Sequence, residues 1–116
     1  MYGESGVRTV LVCCTGGEEG DLNNPALKEP GMPFHGLDEV AQQKLMESVR
    51  PVELANSVEI IGFNKLHMLG YRDSGMDKSP KNSNPACFHM ADMDEATSRL
   101  VKLIRTEKPH VIVTYN

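Results

Sequence analysis

Positive charge is in deficit: 12 Lys and Arg stand against 16 Asp and Glu, a formal net charge of -4 and an isoelectric point near 5.5. That balance offers no footing for a nucleic-acid backbone or an anionic membrane surface. No apolar run approaches the roughly 20 residues of a bilayer span. The opening "MYGESGVRT" lacks the basic and apolar regions of a signal peptide, so a cytoplasmic location is expected. Cysteine is scarce, with three residues. Cys13 and Cys14 adjoin inside a strand-like run, so their side chains point to opposite faces and cannot form an ordinary disulfide with each other. Cys87 leaves an odd count, and the pattern fits unpaired thiols in a reducing compartment. There is no Cys-x-x-Cys, and His35, His67, His89 and His110 show no metal-ligand spacing, so these residues offer no metal site. No nucleophile elbow surrounds Ser74 or Ser79. Repeats and low-complexity tracts are absent too.

What remains is an ordinary globular composition, 40% hydrophobic and 24% charged, in 116 residues. That is one small domain at most, able to bury about two-thirds of its unfolded surface. The elements alternate. "VRTVLVCC", residues 7–14, is β-branched and reads as a strand. From Asp38 to Ile61 a loose apolar stripe predicts a helix capped by Asp38 and ended by Gly62, with a kink or restart near Arg50 forced by Pro51. "KLHML", 65–69, is a second strand. Asp92 with Glu95 forms a capping-box signature, and Ala96, Leu100, Leu103 and Ile104 give the inner face of a helix that Pro109 stops. "HVIVTY", 110–115, predicts a third buried strand. The order β-α-β-α-β predicts an α/β fold with a Rossmann-like parallel sheet.

Parallel strands deliver ligands to their carboxyl ends. Three segments leave those ends: "TGGEEGD" at 15–21, "GYRDSGM" at 70–76 and the final "TYN". Two of them open long loops, about 15–37 and 70–91, and loops of that length are usually functional. "GGEEG" is a poor phosphate cradle. It brings Glu18 and Glu19, no Lys-Ser/Thr pair follows, and Gly16, Gly17 and Gly20 lack dinucleotide spacing. Carboxylates there suit a neutral polyol, whose hydroxyls they accept from, or a cation; alternatively they mark a solvated turn. Arg72, Asp73 and Ser74 place a cation, an anion and a hydroxyl between two glycines, although Asp73 could equally close an Asx turn. Arg50, with Glu53 three residues on, suits a surface ion pair.

Taken together, "RTVLVCCTGGEEGDLNNPA", "GYRDSGM" and "FHMADMDEATSRLVKLIRTEKPHVIVTYN" resemble the zinc-dependent deacetylase family of LmbE-like and PIG-L-like proteins. The resemblance is closest to its mycothiol branch, which contains S-conjugate amidases and N-acetylglucosaminyl-inositol deacetylases. It covers nearly the whole chain. It implies a three-layer domain of which residues 1–116 form the central part, truncated at both ends. It also implies hydrolysis of an amide on an amino sugar, with a Zn ion whose ligands lie in His-rich segments outside this chain. The substrate-side positions it implies are Arg50, Asp73, Asp21 and the apolar Met76, and the implied partner is a small pseudodisaccharide. Open sheet edges make self-association an expectation. The competing expectations are a non-catalytic α/β module that binds a sugar-like ligand or a protein, and a nucleotide-binding half-domain.

Overall fold

Two parallel strands organise the molecule, which is seen in a computed structural model that describes residues 5–115. Strand β1, Val10–Thr15, and strand β2, Lys65–Tyr71, pair with Val10 opposite Lys65 and Cys13 opposite Met68. The register then slips, Thr15 lying opposite Tyr71, so β2 carries one extra residue there. Gly70 absorbs it at φ +86°, a left-handed conformation that a side chain would strain. The three thiols are free, and Cys87 is fully buried. Burial, and next the neighbouring Cys14, pushes the Cys13 thiol up, which keeps it protonated and unreactive.

Helix α1 covers Glu39–Ile61. Asp38 caps it by accepting from the Ala41 N–H at 2.8 Å, and Gly62 ends it at φ +86° with its N–H on the Val58 and Glu59 carbonyls. The restart expected at Pro51 does not occur: the helix runs through it as one element. Pro51 removes the N–H that would reach the Glu47 carbonyl, and residues 50–53 are exposed, so water can serve that carbonyl instead.

Helix α2, Met93–Glu107, is capped by Asp92, which accepts from the Glu95 N–H at 2.9 Å. Ala96, Leu103 and Ile104 turn partly inward as the spacing predicts, but Leu100 is 39% exposed. Polar contacts tie the helix to the sheet at its middle and at its C-terminal end. Arg99 lies over the Tyr71 ring at 4.5 Å and donates from Nη1 to the Leu69 carbonyl at 2.6 Å, beside the irregularity at Gly70. At the C-terminal end Glu107 meets His67 Nε2 at 2.6 Å, Lys65 Nζ at 3.0 Å and Arg8 Nη2 at 2.5 Å.

The buried apolar residues are Phe34, Met46, Leu69 and Cys87. Two of the four come from the long loops, which short 3₁₀ turns at Pro25–Lys28, Pro80–Ser83 and Phe88–Met90 help to fold down. The loops are therefore packed structure. The third strand is the main correction. Residues 110–115 form no strand among the described residues, and Val111, Ile112, Val113 and Tyr115 are 76, 60, 90 and 95% exposed. A β-branched composition makes a segment fit for a sheet, but strand structure also needs a ladder partner and cover on both faces, and neither reaches this segment. Asn116 lies outside the described residues.

Glu107 predicts acid behaviour. Its contacts with His67, then Lys65, then Arg8, hold its carboxyl at about 2 against an ordinary 4.5. A depressed carboxylate contributes stability above its unfolded value and loses it as pH falls through its folded value. Thermal melts of Glu107→Gln should lie below wild type at neutral pH, and the gap should close between pH 4.5 and about 2.

Candidate ligand rim at the strand carboxyl ends

β1 ends at Thr15 and hands the chain to a turn closed by the Gly20 N–H on the Gly17 carbonyl at 3.2 Å. Gly17 has φ +74°, and a Cβ there would stand 2.9 Å from Arg50 Nε and 3.2 Å from Nη2. The left-handed turn requires the glycine, and a side chain there would also displace the half-exposed Arg50 guanidinium. β2 ends at Tyr71 and hands the chain to Arg72 and Asp73, so the two loops leave adjacent strands at the same end.

Adjacent acids on the first loop grip adjacent residues on the second. Glu18 Oε2 accepts from the Asp73 backbone N–H at 2.9 Å. Glu19 Oε1 accepts from Arg72 Nε at 3.0 Å and Nη2 at 2.7 Å. The other Glu19 oxygen faces Lys81 Nζ as an ion pair without the geometry of a directed hydrogen bond. Arg72 Nη2 also donates to Glu47 Oε1 of α1 at 2.7 Å, and Gln43 bridges the Glu18 carbonyl and Lys81 Nζ. Glu19 is only 5% exposed. Burial pushes its carboxyl up, but Lys81 and Arg72 outweigh that and hold it below the ordinary range. Glu47 first, and Glu19 after it, raise the Arg72 guanidinium. Glu18 and Glu19 were the acids expected to face a sugar hydroxyl; the structure spends them on holding the two loops together.

The four candidate positions fall in different settings. Asp21 and Arg50 share a groove of about 460 Å³ whose walls include Asn23, Phe34, Met46 and Glu53. Asp21 is exposed, and its carboxylate has no partner among the described residues. Arg50 Nη1 pairs with Glu53 Oε2 at 2.8 Å, with both side chains about half exposed, a contact worth little by itself. Asp73 is not a wall of that groove, and its backbone is tied to the first loop through the Glu18 carboxylate. Its Oδ1 accepts from the Gly75 N–H at 3.1 Å in an Asx turn, and Oδ2 has no donor among the described residues. Met76 is 75% exposed and is not a wall of the groove, though its carbonyl anchors Asn82 and Ser79.

Glu19, Arg72, Glu47 and Lys81 were not foreseen as a group. They lie 25 to 62 positions apart in their pairings, and only the paired order Glu-Glu facing Arg-Asp hinted at them. Among the described residues, no group of three or more His, Cys, Asp or Glu is arranged to hold a metal ion.

With that geometry in place, comparison with known proteins is informative. The profile of the PIG-L family, GlcNAc-PI de-N-acetylase, matches residues 1–116. A protein of Catenulispora acidiphila named 1D-myo-inositol 2-acetamido-2-deoxy-alpha-D-glucopyranoside deacetylase 1 is 40% identical over 99% of this chain. Proteins with the same deacetylase name in Thermobispora bispora and Thermobifida fusca are 39% and 38% identical over 99% of this chain. The chain spans 34, 37 and 39% of the length of these three relatives.

The turn itself can be tested. Gly17→Ala should destabilise the fold by about 1–2 kcal/mol through the left-handed backbone cost and should push the Arg50 side chain away. Chemical denaturation measures the first effect. Side-chain NMR of the Arg50 Nε–H measures the second.

Proposed function

We infer the function from one premise: the chain belongs to the PIG-L, GlcNAc-PI de-N-acetylase, family. Residues 1–116 are the central part of a deacetylase domain. The whole protein hydrolyses the acetamide of an N-acetylglucosaminyl-inositol type of pseudodisaccharide, water and amide giving a free amine and acetate. The relatives' names favour deacetylase over the amidase alternative. This segment supplies the part of the site that holds the hydroxyl-bearing rings.

One observation carries this assignment. Two carboxylates beyond the strand ends, that of Asp21 and Oδ2 of Asp73, are left without donors among the described residues, and Arg50 shares the groove with Asp21. Such oxygens accept from hydroxyl protons, and a guanidinium gives hydrogen bonds to hydroxyl oxygens, so the set matches a neutral polyol. Asp73 is pre-aimed because its other oxygen is held in the Asx turn. Exposed Met76 offers an apolar face for a sugar ring.

These side chains bind and orient; none is placed to activate water. The Zn that the resemblance implies has no fitting donor set among the described residues. Among the described residues no helix is long and apolar enough to cross a membrane.

The test uses the full-length protein. Wild type should release acetate and a free amine from N-acetylglucosaminyl-inositol. Asp73→Asn should lower kcat/KM by about 10–100-fold, the range for losing a hydrogen bond to a charged acceptor. Most of that loss should appear in KM. An unaltered KM in Asp73→Asn would remove this residue from the substrate site.

A further inference from the structure

The Glu19–Arg72 pair is more buried than Arg50 and Met76, and neither of its side chains hydrogen-bonds to a candidate ligand side chain. Glu19 is 5% and Arg72 27% exposed, against 46% for Arg50. A buried carboxylate between two cations is rarely the most stable solution, because well-packed apolar side chains of similar volume often serve stability as well. What an ion pair supplies that apolar contact does not is a fixed distance and direction.

That direction matters here because of what is covalently attached. Glu19 follows Glu18, and Arg72 precedes Asp73. The Glu19–Arg72 contact and the bond from the Asp73 N–H to Glu18 therefore form two rungs between the same two loops. Arg72 is also held by its backbone: its N–H donates to the Ala86 carbonyl at 2.9 Å, and its carbonyl accepts from the Phe88 N–H at 2.9 Å. The third contact, Arg72 to Glu47, refers the whole ladder to α1, one turn before Arg50. Removing Glu19 cuts one rung and leaves the guanidinium on Glu47 alone, so residues 72–73 are tied less firmly to the first loop and the Asp73 carboxylate is aimed less sharply.

We propose that Glu19 and Arg72 are positioning residues that aim the Asp73 carboxylate for a hydroxyl-bearing ligand, an assignment that rests on the sugar-binding role given above. Neither touches the ligand. Their loss should weaken recognition while leaving the bond-breaking step alone.

The experiment compares wild type with Glu19→Gln, Arg72→Lys and the double variant in the full-length protein. Arg72→Lys keeps the charge but loses the two-pronged contact, so it guards against a variant that merely fails to fold. Two readouts are needed. Hydrogen exchange at the Asp73 amide should accelerate about tenfold or more in each single variant, following loss of a contact to a charged group. KM for N-acetylglucosaminyl-inositol should rise about tenfold with kcat within about threefold, and the double variant should be no worse than the stronger single, since both cut one link. Unchanged exchange at Asp73 in both singles overturns the proposal. So does faster exchange with an unchanged KM, or a fall in kcat alone, which a general loss of structure would give. If wild type shows no turnover, the assigned substrate is wrong, and the exchange measurement still judges the clamp by itself.

Discussion

A carboxylate that is 95% withdrawn from water must be met by positive charge, and in this molecule that demand falls on Glu19. Arg72 and Lys81 answer it, and each comes from the loop that follows the other strand. Because Arg72 is bridged by its backbone to residues 86 and 88, satisfying Glu19 also brings in Cys87, which ends fully buried. Arg72 reaches Glu47 on α1 in turn, the helix that supplies Met46 to the same small core. Two loops of more than twenty residues could otherwise wander. Charge compensation at one acid closes both of them.

The second helix is held by different means. Its contacts with the sheet are polar, with Arg99 on the Leu69 carbonyl and Glu107 among Arg8, Lys65 and His67. The irregularity of β2 at Gly70 lies beside Arg99, whose Nη1 would be 3.5 Å from a Cβ at that glycine. A larger residue there would meet both a strained backbone and the guanidinium. Much apolar surface is left uncovered in this arrangement, including Val40, Val52 and Ile60 on α1 and the whole of Val111–Val113. The helix and the terminal segment that carry these residues expose apolar surface of the kind that further layers cover.

Local signals were legible in the sequence wherever the cause was local. Asp38, Gly62 and Asp92 cap their helices in the structure as their residue types predict, and the two strands run parallel. The Asx turn at Asp73 and the Arg50–Glu53 pair were equally readable, since each depends on two or three residues. Pro51 misled because the cost of a proline inside a helix is set by whether water can reach the carbonyl it orphans. "HVIVTY" misled because its composition reports fitness for a sheet and cannot report whether an edge is available. The roles of Glu18 and Glu19 were hidden for a tertiary reason: whether an acid faces a ligand or a lysine depends on which loop packs opposite.

The charge pattern also narrows what the rim can hold. Around the 16–18 turn stand Glu18, Glu19, Asp21, Glu47, Glu53 and Asp73 against Arg50, Arg72 and Lys81, an excess of acid. Arg72 and Lys81 are committed to Glu19 and Glu47, and neither is a wall of the groove, so of the three cations Arg50 alone lines it, and Glu53 already shares it. A phosphate arriving there meets one partly neutralised cation and the unpaired carboxylates. At about 8 Å and an effective dielectric near 20, each unpaired acid would oppose a unit negative charge by about 2 kcal/mol. A neutral ring with several hydroxyls meets no such opposition, and it satisfies both kinds of group by donating to the acids and accepting from the arginine. The same side chains that hold the loops together thus leave behind, on their exposed side, a surface selective by charge before any shape is considered.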